Sequence, residues 1–131
     1  MDSETFELLR STVRRFVDER LVPNEDRVEA EDAVPAEIIQ EMRDLGLFGL
    51  SVPEEYGGLG LTMAEEAKTI FELGRTAFAY RSVIGTTVGI GSQGIVMDGT
   101  PEQKAQWLPR LASGEMIASF ALTEPQAGSD A

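Results

Sequence analysis

With no histidine and no cysteine in the chain, the groups able to do chemistry are carboxylates, hydroxyls, lysine, tyrosine and the backbone. Thiol nucleophiles, Ser-His-Asp arrangements, zinc sites and disulfides are thereby excluded. What remains gathers in two places. The first is the segment SFALTEPQAGSD at 119–130, where a short apolar run leads into Thr123-Glu124-Pro125 and a Gly128-Ser129-Asp130 turn. An extended run ending in Thr, Gly and Ser offers hydroxyls and converging backbone N–H groups, the set needed to grip a phosphate or the polar edge of a heterocycle. The same residue types also build ordinary turns.

The second place is Ser82–Met97, sixteen residues without a charge, several of them Gly, Ser and Thr. A bilayer span needs about 20 predominantly apolar residues, so a buried segment is the better reading. Gly89-Ile90-Gly91-Ser92-Gln93-Gly94 satisfies G-x-G-x-x-G, and Val83–Val88 has the β-branched character of a strand before a dinucleotide loop. That fold needs a full helix after the third glycine, whereas Gly99-Thr100-Pro101 stops one after a single turn. The alternative is a buried helix in which Gly85, Gly89 and Ser92 let a backbone or a ligand come close. Each interior glycine costs roughly 1 kcal/mol relative to alanine, so either tight packing or a cavity must compensate.

The elements that position these segments are mostly helical. Glycine is absent through Leu45 and then occurs thirteen times. Phe6, Leu9, Val13, Phe16, Val17 and Leu21 recur at helical spacing behind an Asp/Ser cap, which predicts a helix over 3–21 that ends before Pro23. A charged connector, Asn24 to Asp32, leads to Pro35 at a first helical position. Ile38, Ile39, Met42 and Leu45 then share a face, and Gly46 stands where a left-handed cap belongs. Leu47–Leu61 reads as a structured loop rich in Gly and Pro. Thr62-x-x-Glu65 and Thr100-Pro101-Glu102-Gln103 are capping boxes, opening helices over 62–79 and from 100 to near Gly114. Met116–Leu122 is apolar, bounded by turns and short, so a strand is expected.

Composition limits the partners. The 131 residues give room for one domain with a single core, and 42% hydrophobic with 26% charged residues is ordinary for a globular chain. A formal charge of −12 argues against DNA, RNA and anionic membranes, whose phosphates call for a basic surface. The acidic start, MDSETFELL, contrasts with basic targeting peptides and reads as cytoplasmic.

Leu122-Thr123-Glu124-Pro125-Gln126-Ala127-Gly128-Ser129-Asp130 resembles the flavin-binding signature of the acyl-CoA dehydrogenase family, usually seen as TEPGAGSD. Gln126 replaces the usual glycine. Pro53-Glu54-Glu55-Tyr56-Gly57-Gly58-Leu59-Gly60 is similar to the family's PEEYGGxG loop. Leu45-Gly46-Leu47 and Gly99-Thr100-Pro101-Glu102-Gln103-Lys104 stand in the expected order around it. The resemblance implies an all-α N-terminal domain over 1–115 and, over 116–131, the first strand and flavin turn of a middle β-domain.

It further implies FAD as cofactor, held by Phe120, Leu122, Thr123, Gly128 and Ser129, with Ser129 also touching the substrate. The helix of Ser82, Gly85, Thr86 and Gly89 becomes part of an acyl-chain cavity. The reaction implied is α,β-dehydrogenation of an acyl-CoA thioester, with an electron-transferring flavoprotein as acceptor and a homotetramer or dimer as the assembly. The family's base lies far along a longer chain, so no residue here takes that role, Glu124 included. Acyl-CoA oxidases, nitroalkane oxidases and flavin monooxygenases share the fold and stand as alternatives. An acidic helical interaction module is the alternative from another class.

Overall fold

The computed structural model describes residues 1–130. Seven α-helices follow one another: α1 Ser3–Phe16, α2 Glu25–Glu31, α3 Ala36–Asp44, α4 Met63–Leu73, α5 Phe78–Thr86, α6 Ser92–Asp98 and α7 Pro101–Ala112. Their starts carry the expected chemistry. Asp2 Oδ1 accepts the Thr5 N–H at 2.9 Å. Both capping boxes close, with Thr62 N–H on Glu65 Oε2 at 2.8 Å and Thr100 N–H on Gln103 Oε1 at 2.9 Å. Gly46, at φ 72°, turns the chain after α3, while Pro35 sits one position earlier than expected, as the cap.

Four expectations need correction. The chain does not straighten at Pro23. Val17–Leu21 winds as a π turn and Val22–Asn24 as a 3-10 turn, and α2 replaces the expected connector. Proline removes a donor, and the re-wound turns leave carbonyls that side chains satisfy: Asn24 Nδ2 donates to Arg20 O at 2.8 Å, and the Tyr80 hydroxyl to Leu21 O at 2.9 Å. α2 escaped the periodicity because Val28 is its one buried residue. The helix from Thr62 ends at Leu73 instead of 79. A turn follows in which Glu25 Oε1, from α2, accepts the Thr76 hydroxyl at 2.6 Å and the Ala77 N–H at 2.9 Å, so the start of α5 is capped from across the fold. Ser82–Met97 is helical, as the buried-helix reading has it and the dinucleotide reading does not, but it is not one continuous helix: a π turn over Thr87–Gly91, with Gly89 at ψ −106°, bends it. Finally, Met116–Leu122 forms no strand, because a strand exists only as part of a ladder and no described segment pairs with it.

The core sits around the loop 47–61. Leu47, Phe48, Gly49, Leu50 and Val52 are buried, with α1, α3, α4 and α5 supplying Val13, Ile38, Met42, Leu73 and Tyr80 on one side and α7 supplying Leu108 and Ala112 on the other. A buried loop must satisfy its own backbone. Here Leu59 N–H donates to Gly49 O at 2.8 Å, Gly60 N–H to Val52 O at 2.9 Å and Leu61 N–H to Leu50 O at 2.8 Å. The fold-back brings Gly58 so close to Val52 that a Cβ would collide with its carbonyl. Gly58→Ala is therefore expected to cost at least about 2 kcal/mol, read as a lowered midpoint in urea unfolding.

One carboxylate is buried beneath arginines that themselves stay partly exposed. Glu72 of α4 receives Arg14 Nη2 at 2.7 Å, Arg14 Nε at 3.0 Å and Arg10 Nη2 at 3.0 Å, which ties α4 to α1. Arg75 Nη1 stands 3.8 Å away, and Glu7 shares Arg10. The Arg14 hydrogen bond, aided by Arg10, holds the Glu72 carboxyl below its ordinary value against the opposing effect of burial. A carboxylate depressed in the folded state stabilises above its unfolded pKa, and that stability is lost as pH falls through the folded value. Glu72→Gln should lower the melting temperature at neutral pH, and the gap to the unaltered protein should narrow below about pH 4.

Candidate functional site

The chain leaves α7 through Gly114, whose carbonyl accepts Arg43 Nε at 3.1 Å, and Met116 N–H then reaches Arg110 O at 3.0 Å. Ala118 N–H donates to Thr87 Oγ1 at 3.1 Å, which lays the extended segment on the π turn between α5 and α6. Beyond it the segment turns back on itself. Glu124 N–H donates to Ala127 O at 2.8 Å and Ala127 N–H to Glu124 O at 3.3 Å, with Pro125 and Gln126 at the tip. Gln126 fits without strain, since Asp32 is the one non-glycine residue at positive φ among the described residues.

This turn gathers the predicted residues. A Cβ built on Gly128 would lie 4.0 Å from Thr123 Cγ2, so the two positions face one another. Thr123, Gly128 and Ser129 are exposed, and neither hydroxyl has a hydrogen-bond partner among the described residues. Phe120 and Leu122 are 55% and 53% exposed, unusual for large apolar side chains beside a packed core. The segment is thus a polar turn attached to an apolar ribbon.

The uncharged helix divides its small residues between two sides. Thr87, Val88 and Ser92 are buried, and Ser92 Oγ donates to Val88 O at 3.1 Å. Thr86 is exposed, and a Cβ on Gly89 would meet no atom within 4 Å, so that side is open. Beside Gly85 the nearest atom is the mobile end of Arg81, at 2.6 Å from such a Cβ. Ser82 borders a separate groove between α2 and α5, whose walls carry Glu25, Glu29 and Asp32. Close approach of another backbone occurs at Gly91, where a Cβ would collide with that of Ala118, rather than at Gly85 or Gly89. Thr87 and Gly91 are the residues that sequence reasoning missed. No charge in the stretch marks which side faces inward, so the sequence carried no signal that singled out Thr87 or Gly91.

Residues 3–115 match the family model described as "Acyl-CoA dehydrogenase, N-terminal domain". The chain belongs to the acyl-CoA dehydrogenase family. It is 41% identical over 128 residues to (2S)-methylsuccinyl-CoA dehydrogenase of Cereibacter sphaeroides, a match covering 97% of this chain and 23% of that one. Among solved structures it resembles an acyl-CoA dehydrogenase complexed with FAD from Bacillus anthracis, with TM-score 0.79, 37% identity and 98% of this chain against 22% of that one. It also resembles an acyl-CoA dehydrogenase from Geobacillus kaustophilus, with TM-score 0.82, 32% identity and 99% against 34%. The chain therefore spans between about a fifth and a third of the length of these acyl-CoA dehydrogenase relatives. Its fold is that of the family's N-terminal helical domain.

The two adjacent threonines of the uncharged helix should respond oppositely to enlargement. Thr86→Leu, on the open side, is expected to change stability by no more than about 0.5 kcal/mol. Thr87→Leu overfills the core and should cost about 1–3 kcal/mol, and thermal melts of the two variants compare them directly.

Proposed function

We propose that the chain serves as the N-terminal part of an FAD-dependent oxidoreductase that dehydrogenates an acyl-CoA thioester between its α and β carbons. In this reading residues 1–115 are the helical domain and 116–131 begin the flavin-carrying domain, with Ala131 lying outside the described residues. The observation that carries the reading is the turn 123–129, with unpartnered Thr123 and Ser129 hydroxyls and exposed Phe120 and Leu122 on the same ribbon. Such a set fits a flavin: apolar contact for the ring, a hydroxyl and the Leu122 backbone for its polar edge, and the Gly128 and Ser129 N–H groups for the pyrophosphate.

When bound, FAD supplies the acceptor for the β-hydride, which no side chain here can provide. This chain's share is placement. Thr86 and Gly89 offer a small, uncharged surface against which an alkyl chain can lie, with Gly85 beside the end of Arg81, and Ser129 is assigned to both substrate and cofactor. The buried carboxylate Glu72 is committed to Arg10 and Arg14, which lower its basicity, so it is no candidate for removing the α-proton. The electron-transferring flavoprotein as acceptor, a homo-oligomeric assembly, a place in fatty acid metabolism and a cytoplasmic location accompany the proposal.

In the flavoprotein containing this chain, an acyl-CoA added without oxygen should bleach the visible flavin band, and no bleaching with any acyl-CoA would overturn the assignment. Thr123→Val keeps the shape and deletes a hydrogen bond to a buried polar edge, so flavin binding should weaken by on the order of 1–3 kcal/mol. Equilibrium dialysis of FAD measures that loss.

A further inference from the structure

Among the described residues the segment after α7 is hydrogen-bonded to the uncharged helix at one place, and two independent features of that place match. Thr87, fully buried in the π turn, presents Oγ1 to the Ala118 N–H at 3.1 Å. One helical turn on, Gly91 leaves room that the Ala118 methyl fills, and any side chain there would collide with it. Met116, two residues earlier, is fixed by its N–H on Arg110 O at 3.0 Å. After Ala118, no further hydrogen bond of the described residues holds the segment to the helices.

We infer that Thr87 and Gly91 are positioning residues, a clasp that sets the register of the segment carrying Phe120, Leu122 and Thr123 against the helix carrying Gly85, Thr86 and Gly89. The inference rests on the flavin reading for what that register serves: it fixes the cofactor side of the site relative to the substrate side. A slip of one residue past Ala118 would carry Phe120, Leu122 and Thr123 along the helix by up to about 3.4 Å, away from the open side at Thr86 and Gly89. A hydrogen bond specifies which N–H lies over the helix. The glycine specifies how closely it lies, and a site held to within a fraction of an ångström needs both.

The test is amide hydrogen exchange together with FAD titration in the flavoprotein containing this chain. In Thr87→Val, exchange at Ala118 should accelerate about tenfold while amides in α7 keep their rates, and the FAD dissociation constant should rise by a similar factor. Thr87→Ser, which retains the acceptor, should restore both. Gly91→Ala keeps the Thr87 hydroxyl but sets a methyl against both the Ala118 methyl and the Thr86 carbonyl just before the π turn, and should produce the same paired change while amides in α7 keep their rates. Unchanged exchange at Ala118 in both Thr87→Val and Gly91→Ala overturns the clasp. So does altered exchange with unaltered FAD affinity, or failure of Thr87→Ser to rescue. If the unaltered protein takes up no FAD, the flavin reading fails, and the exchange arm alone then decides whether Thr87 and Gly91 hold the segment.

Discussion

Burial of the backbone at Leu47–Leu50, Val52 and Leu61 is the constraint on which the rest of this domain depends. A loop excluded from water loses hydration at every peptide group, and each unpaired group costs on the order of 1–3 kcal/mol. The chain meets this by folding the loop on itself, with 59–61 donating to carbonyls at 49, 50 and 52. Only glycine at position 58 permits the approach. Once closed, the loop presents Leu47, Phe48 and Leu50 to one apolar cluster and Val52 to another. The helices stand around it as walls around a filled centre, and α7 packs directly on α6 and also on the loop.

Polar contacts between distant segments then set the angles of those walls. Glu25 caps the start of α5, Tyr80 completes the carbonyl ladder that Pro23 disturbs, and Glu72 ties α4 to α1 through two arginines. Each joins residues more than fifty positions apart and answers a local deficit: an uncapped helix, an orphan carbonyl, a buried charge. A buried ion pair gains little net stability, because desolvation offsets attraction. Its cost when broken is larger, and that asymmetry makes Glu72 a determinant of helix register.

The candidate site inherits this arrangement. The uncharged helix has a packed side that accepts the extended segment at Thr87 and Gly91 and an open side at Thr86 and Gly89. One element thereby holds the segment that leads to the proposed cofactor residues and carries the residues proposed to face a substrate. Its bend at Gly89 follows from a glycine-rich sequence with low helix propensity, and the π turn it creates is a frequent feature of functional helices.

Local signals in the sequence determined the helix starts at Asp2, Thr62 and Thr100, the left-handed turn at Gly46, the loop at 47–61 and the chemistry of the 122–130 motif. Each is settled by residues within a few positions of one another: caps, turn formers and hydroxyls act at short range. The tertiary structure alone decided the rest. Helix α2 exists through the burial of Val28, α5 begins where Glu25 reaches Thr76, and the segment after α7 is held at Ala118 on the π turn between α5 and α6. Gly91 rather than Gly89 became the point of close approach, since which side of a uniformly small, uncharged helix faces inward depends on what packs there. Periodicity carries that information only where apolar and charged residues alternate, and from Ser82 to Met97 there is no charge to read.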